Sequence, residues 1–242
     1  MIKHALTASA LVLALAACSP PSETAAPAEA PKAEAPTAAP VEPLDPKADL
    51  AGAALDGGLQ GGTDQWKTVA NAGDQDRIAR LDDAWRQALR EADREFGAQI
   101  DALGLTAVPT AALEGQLQPA PGKYRCRSIK IGSMNGAGLA YVAYPFFNCT
   151  VELTPGGDLV LTKIDGSQRT KGLLYPDPAN AKRLIYVGAQ AWGDDETDYP
   201  AYGQNPERDQ VGVLERTGAK RYRLVLPWPK QESKLEILEI RG

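Results

Sequence analysis

Histidine is all but missing from this chain: its 242 residues include one, His4, and they hold only three cysteines and two methionines. His4 lies in a segment expected to be cut away on export, so the mature chain keeps none. That inventory excludes Ser-His-Asp triads, Cys-His dyads and His-ligated zinc or haem. A basic excess is lacking too, with 26 Lys and Arg against 31 Asp and Glu, a net charge of -5. Removing residues 1–17 takes away Lys3 and no acid, which leaves 26 − 1 = 25 bases against 31 acids, or -6. Nothing here draws a phosphate backbone, so nucleic acid is not an expected partner. Long apolar runs are also missing: the longest, Ala5 to Ala17, has thirteen residues, too few to span a bilayer. No cofactor motif stands out. The glycine-rich run Gly132 to Gly138 lacks the lysine and following helix of a phosphate-binding loop, and reads as a hairpin connection.

What is present starts with a leader. Lys3 gives a positive n-region and Ala5 to Ala17 an apolar h-region, the pattern of a signal peptide over residues 1–17. It ends in Leu15-Ala16-Ala17-Cys18, which resembles the bacterial lipobox, whose cysteine is diacylated and, after cleavage, becomes the new N-terminus. Cys18 is therefore the expected lipidation (palmitate) site. Several acyl chains, at about 0.8 kcal/mol per buried methylene, anchor a protein effectively for good. By resemblance to the sorting rules of Gram-negative bacteria, Ser19, in place of an aspartate, favours the outer membrane, facing the periplasm. The membrane is then a partner through the lipid anchor.

Residues 18–62 read as a tether. Positions 19–49 hold eight prolines and nine alanines and no aromatic residue, a composition unable to bury enough surface to fold. As polyproline II, at about 3.1 Å per residue, it reaches about 90 Å. The glycine-rich stretch Gly57 to Gly62 adds a flexible joint.

Residues 63–121 read as a helical segment. A short helix carries Trp66 and Val69 and breaks at Gly73, and Asp74 is the expected N-cap of a long amphipathic helix. Ile78, Leu81, Trp85, Ala88, Ala92, Phe96 and Ile100 line its apolar stripe, and Gly104 stops it. Asp76–Arg80 and Asp82–Arg86 are expected i,i+4 pairs.

From Gly122 the period changes to two, and residues 122–242 read as an antiparallel β-domain. Eight strand regions are expected, at 123–131, 139–153 (interrupted at Pro145), 159–164, 168–175, 183–189, 210–216, 222–227 and 234–241. Tight turns separate them at Pro155-Gly156-Gly157-Asp158, Asp165-Gly166 and Thr217-Gly218-Ala219. The fold class is thus mainly β with an N-terminal helical segment (α+β): a meander of about eight strands, expected to close as a lipocalin-like barrel, with a sandwich as the alternative. In an exported chain, Cys126 and Cys149 are expected to form a disulfide once Cys18 is acylated.

Several runs, among them Tyr124-Arg125-Cys126-Arg127-Ser128-Ile129, Phe147-Asn148-Cys149, Gly166-Ser167-Gln168-Arg169, Arg208-Asp209-Gln210-Val211-Gly212 and Pro227-Trp228-Pro229, resemble a bacterial family catalogued as domain of unknown function 4893. The resemblance covers roughly residues 64–241. It implies an exported or lipid-anchored envelope domain with no assigned activity or catalytic residues.

Two candidate surfaces follow from the residues themselves. Gln168, Arg169, Arg208, Asp209, Glu215 and Arg216 are charged or polar at strand-like positions and are expected either to grip a charged ligand in a barrel mouth or to form a structural ion-pair network. The segment Gln190 to Glu207 is longer than a meander needs. It mixes Trp192, Tyr199 and Tyr202 with Asp194 and Asp195, as a binding loop for an envelope protein does; its acids lack the spacing of a calcium loop. The best-supported expectation is a non-enzymatic domain that binds a small or lipidic ligand. The alternatives are a protein-interaction module, such as an assembly factor or protease inhibitor, and a hydrolase using paired carboxylates such as Asp209 and Glu215.

Overall fold

A computed structural model of the chain describes residues 64–242. The signal segment, Cys18, the tether and Thr63 lie outside the described residues. No helix among those described is long and apolar enough to cross a membrane.

Among the described residues three helices come first: α1 (Trp66–Val69), α2 (Ala72–Ala79) and α3 (Leu81–Asp101), followed by a 3-10 turn at Gly104–Ala107. The cap of α2 is Asn71, whose side chain accepts from the Asp74 amide at 2.9 Å. Asp74 was the expected cap, with Gly73 as the break; instead Gly73 lies inside α2, and the Asp74 carboxylate is taken by Arg77 and Tyr202. The long helix divides at Arg80, whose backbone (φ -94, ψ 20) leaves the helical region. Asp76 and Arg80 pair at 2.7 Å as the spacing predicts, whereas Arg86 pairs with Asp83 rather than Asp82.

Nine strands follow: β1 (Gly122–Ser133), β2 (Tyr141–Ala143), β3 (Phe147–Leu153), β4 (Leu159–Lys163), β5 (Gln168–Pro176), β6 (Arg183–Trp192), β7 (Asp209–Gly218), β8 (Arg221–Pro227) and β9 (Ser233–Arg241). Each pairs antiparallel with its neighbour in the order β2-β1-β3-β4-β5-β6-β7-β8-β9, and β1 also pairs with β9. That last pairing, from Arg125–Arg241 to Ser133–Ser233, closes eight strands into a barrel and sets the sandwich aside. The ninth, β2, lies against the far half of β1: the lower half, Gly122 to Cys126, pairs with β3, and Ile129 to Ile131 pair with β2. The barrel wall therefore has a seam where β1 changes partner.

Strand alternation sorts the core into two clusters. One, with Val151, Leu161, Leu174, Tyr186, Leu214, Leu224 and Leu238, takes residues from all eight barrel strands. The other face of β3 carries exposed Asn148 and Glu152, so the first cluster lines the lumen. The second cluster lies outside, between the helices and the wall: Leu81, Trp85, Ala88 and Ala92 of α3 pack on Ile129, Ile131, Leu235 and Ile237 of β1 and β9. Alanines let the helix come close. A Cβ on Gly132 would stand 2.9 Å from the Ala88 Cα, and Gly132 also has φ +68, a backbone region that favours glycine. Trp85 is buried as the stripe predicts, while Phe96 is half-buried against Tyr141, with ring centroids 5.9 Å apart. The disulfide Cys126–Cys149 is present, with Cα atoms 5.9 Å apart.

Candidate functional site

The lumen has an apolar lower part and a polar upper part. Low in the barrel, Tyr186 is fully buried and its hydroxyl meets Thr170 Oγ1 at 2.5 Å. Burial pushes its phenol pKa well above the ordinary value. Its ring needs the space left by two glycines: a Cβ on Gly172 or Gly188 would come within 2.7 or 2.5 Å of Tyr186 and closer still to the facing backbone. With Leu161, Leu214, Leu224 and Leu238 all nearly inaccessible around it, this part of the lumen is filled by side chains, as eight strands allow.

Above it the inward positions turn polar. Lys163 continues the inward row of Leu159 and Leu161 on β4, and Lys130 sits between Ile129 and Ile131 on β1; they are only 4% and 5% exposed. Lys163 Nζ donates to the carbonyls of Asp165 and Gln168, both at 2.7 Å, and stands 4.5 Å from the Phe147 ring centroid. Burial lowers its pKa to about 8 against the pull of Glu236 and Asp165, and the positive charges of Arg169 and Lys130 act in the same direction as burial. Lys130 Nζ donates to Gln168 Oε1 at 2.6 Å and to Glu232 Oε2, and lies 5.8 Å from the Tyr144 ring. Burial works to raise the Glu232 pKa, but the hydrogen bond and charge of Lys130 win and lower it. Glu232 has φ 67, a costly backbone for a non-glycine residue and one often kept where function needs it.

These groups enclose a cavity of about 130 Å3, lined by Ser128, Tyr144, Phe147, Lys163, Gln168 and Glu232 together with Gly166 and Ser167. It lies at the seam, where β1 has left β3 and the β4–β5 turn curls over the gap. Lysine at the floor, aromatic rings on the walls and a carboxylate at the rim can hold a small polar guest. Among the described residues, no group of three or more His, Cys, Asp or Glu is placed to hold a metal ion.

Of the sequence-predicted ligand residues, only Gln168 lines this cavity. Arg169 and Arg208 converge instead on Glu196, outside the barrel, where Arg169 donates to its carbonyl and Arg208 to its carboxylate. A hydrogen bond from the Trp192 amide, opposed by burial and helped by Arg208, holds the Glu196 carboxyl below the usual range. Asp209 is buried and accepts from the Gly203 amide at 2.8 Å; burial raises its pKa, and nearby Asp74 adds to the rise. Glu215 pairs with Arg223 at 2.7 Å, and Arg216 reaches the Glu114 carbonyl. Asp209 and Glu215 are 215 − 209 = 6 residues apart on one strand, or about 20 Å at 3.3 Å per residue, which is beyond the span of a carboxylate acid–base pair.

The predicted interaction loop is a strap. Trp192 Nε1 donates to Gln190 Oε1 at 2.8 Å, and Arg208 covers its ring at 4.5 Å. Tyr199 donates to the Lys163 carbonyl and Tyr202 to Asp74 Oδ2, both at 2.6 Å. Burial and the bond to Asp74 raise the Tyr202 pKa. Asp194 and Asp195 are exposed.

The sequence reading missed Lys130, Lys163, Ser128 and Glu232. A signal existed for one of them: Lys163 follows Leu159 and Leu161 on the inward side of its strand, at a position where a charge is rarely placed without a partner, whereas Lys130 alternates with Ile129 and Ile131 as a solvent-facing residue would.

No curated protein and no solved structure matches the chain. A family model does match, over residues 66–240, and with nearly three quarters of its length inside that match the chain belongs to the family described as domain of unknown function (DUF4893).

Proposed function

We propose that this chain is a lipid-anchored protein of the bacterial cell envelope whose barrel is a non-enzymatic binding domain, taking a small polar ligand in the seam cavity. The observation that carries the binding role is the nearly buried Lys163 ammonium at the floor of a cavity of about 130 Å3. A cavity of roughly 150 Å3 takes a guest the size of benzene. The filled lower lumen argues against a lipid inside the barrel. The lipobox-like Leu15 to Cys18, the proline-rich tether and a disulfide, which persists in oxidising compartments, support the envelope location. The interaction-module reading has less support, because the aromatic residues of the 190–207 segment are used in contacts within the domain.

Two measurements test this. Palmitate labelling with membrane fractionation should show a labelled wild type in the outer-membrane fraction and an unlabelled, released Cys18→Ala variant; a variant still labelled or still membrane-bound overturns the anchor. Native mass spectrometry of the mature chain, extracted from membranes in detergent, should show a small adduct that is lost on denaturation and absent from Lys163→Met. An adduct unaffected by that substitution places the ligand elsewhere.

A further inference from the structure

We infer that the ligand of the seam cavity is a small zwitterion of the free amino-acid class, its carboxylate on Lys163 and its ammonium on Glu232. This rests on the cavity being the ligand site. The cavity lining bears both charges, with Lys163 buried and Glu232 half exposed. An ammonium has three donors, and Lys163 gives two of them to the Asp165 and Gln168 carbonyls, leaving one for a guest. Ser128 adds a second donor: among the described residues its hydroxyl has no hydrogen-bond partner, and it lines the same cavity. At the rim, Lys130 holds one Glu232 oxygen and the Gln168 amide approaches the other at 3.1 Å. Each carboxylate oxygen accepts more than one bond, so Glu232 is fixed in place with capacity to spare.

Partial ligands fit this arrangement poorly. A simple carboxylate satisfies Lys163 but faces Glu232; a simple amine satisfies Glu232 but faces the Lys163 charge and leaves its proton unused; a neutral apolar guest also leaves the Lys163 proton without a partner. A zwitterion satisfies both ends, and the rings of Tyr144 and Phe147 flank the carbon atoms between them. A volume comparable to benzene corresponds to roughly five to seven heavy atoms, the range of glycine, alanine and serine.

The test is calorimetric titration of the mature chain in detergent with glycine, alanine and serine, and with propionate and ethylamine as half-ligands. At least one amino acid should bind about tenfold or more tighter than either half-ligand, as loss of a charge-assisted hydrogen bond implies. Glu232→Gln should weaken the amino acid by a similar factor, while propionate, relieved of the facing carboxylate, should bind at least as tightly as before. Lys163→Met should abolish both, and Ser167→Trp, which blocks the exposed rim without altering the packed lumen, should do the same should Lys163→Met fail to fold. Propionate binding as tightly as the amino acids overturns the zwitterion while leaving the cavity as the site. The same holds if no titrant binds and the native adduct still disappears in Lys163→Met or Ser167→Trp. An adduct that survives both substitutions overturns the site and this inference with it.

Discussion

Arg223 shows how a single charge can be held inside this protein. It lies outside the barrel wall yet is fully buried, and it is satisfied on every side. Its Nε donates to Glu215 at 2.7 Å, and its remaining groups reach the carbonyls of Leu105, Thr106, Val108 and Pro109 at 2.7–3.1 Å, over the face of Trp85. One guanidinium thus pins the end of the helical segment to β7 and β8. Arg223→Met leaves Glu215 as an unpaired buried carboxylate, and removing one partner of such a pair costs about 3–5 kcal/mol. The expected result is a fall in Tm on the order of 10 °C, at about 2–4 °C per kcal/mol for a domain of this size; a shift within 2 °C would mean the pair is not buried in solution. Lys163 is also a buried cation, but its burial is a cost rather than a gain. It titrates near 8 when folded against 10.5 when free, so between those values the unfolded chain holds more protons and stability rises with pH. Below pH 8 its burial cost is present in full. Denaturant unfolding at pH 7.5 and pH 10 should show wild type gaining on Lys163→Met by up to about 3 kcal/mol, whereas parallel pH dependences would show that the amine is solvated.

At the scale of elements, the strands were legible because their punctuation was. Asp165-Gly166 and Pro155-Gly156-Gly157-Asp158 fall between β4 and β5 and between β3 and β4 as expected, and the alternation around Cys149 and Val151 marks the lumen side. The helix start was less legible: Asn71 and Asp74 are both good caps by type, and only the tertiary partners Arg77 and Tyr202 decide which one caps. The cavity residues were illegible for a related reason. Lys130 and Glu232 are 102 residues apart, and only barrel closure brings them together. The docking of α3 is likewise a tertiary matter. Glu91 accepts from the Ser133 amide at 3.0 Å and hydroxyl at 2.6 Å, and from Lys234. Burial opposes its ionisation, but these bonds carry its carboxyl from 4.5 down to about 2. A carboxyl depressed in the fold contributes stability above its free pKa, and that contribution disappears as pH falls from 4.5 towards 2. Glu91→Gln should therefore be less stable than wild type at pH 6 and converge with it near pH 2. A constant difference across that range would show that the clamp does not depend on charge.

For the whole molecule, closure leaves one weak line, the seam where β1 exchanges β3 for β2. The last β1–β3 rung is Cys126 opposite Phe147, and the disulfide ties Cys126 to Cys149 at that end of the pairing. A bridge spanning a sequence separation of 23 stabilises by about 3 kcal/mol when it acts on the unfolded chain alone. Its position predicts a local effect as well: without it, β3 is held to β1 by five rungs, while β6 is held by nine rungs to β5 and by seven to β7. In the Cys126→Ser, Cys149→Ser double variant, Tm should fall by about 6–12 °C. Amide exchange should rise most in β3 and the first half of β1, well before β6 and β7, because opening confined to the seam exposes those amides without global unfolding. Exchange rising equally in every strand would assign the whole effect to the unfolded chain. Exchange rising first at the seam would also make its integrity a condition for keeping the cavity intact, since Phe147, on the same last rung, forms one of its walls.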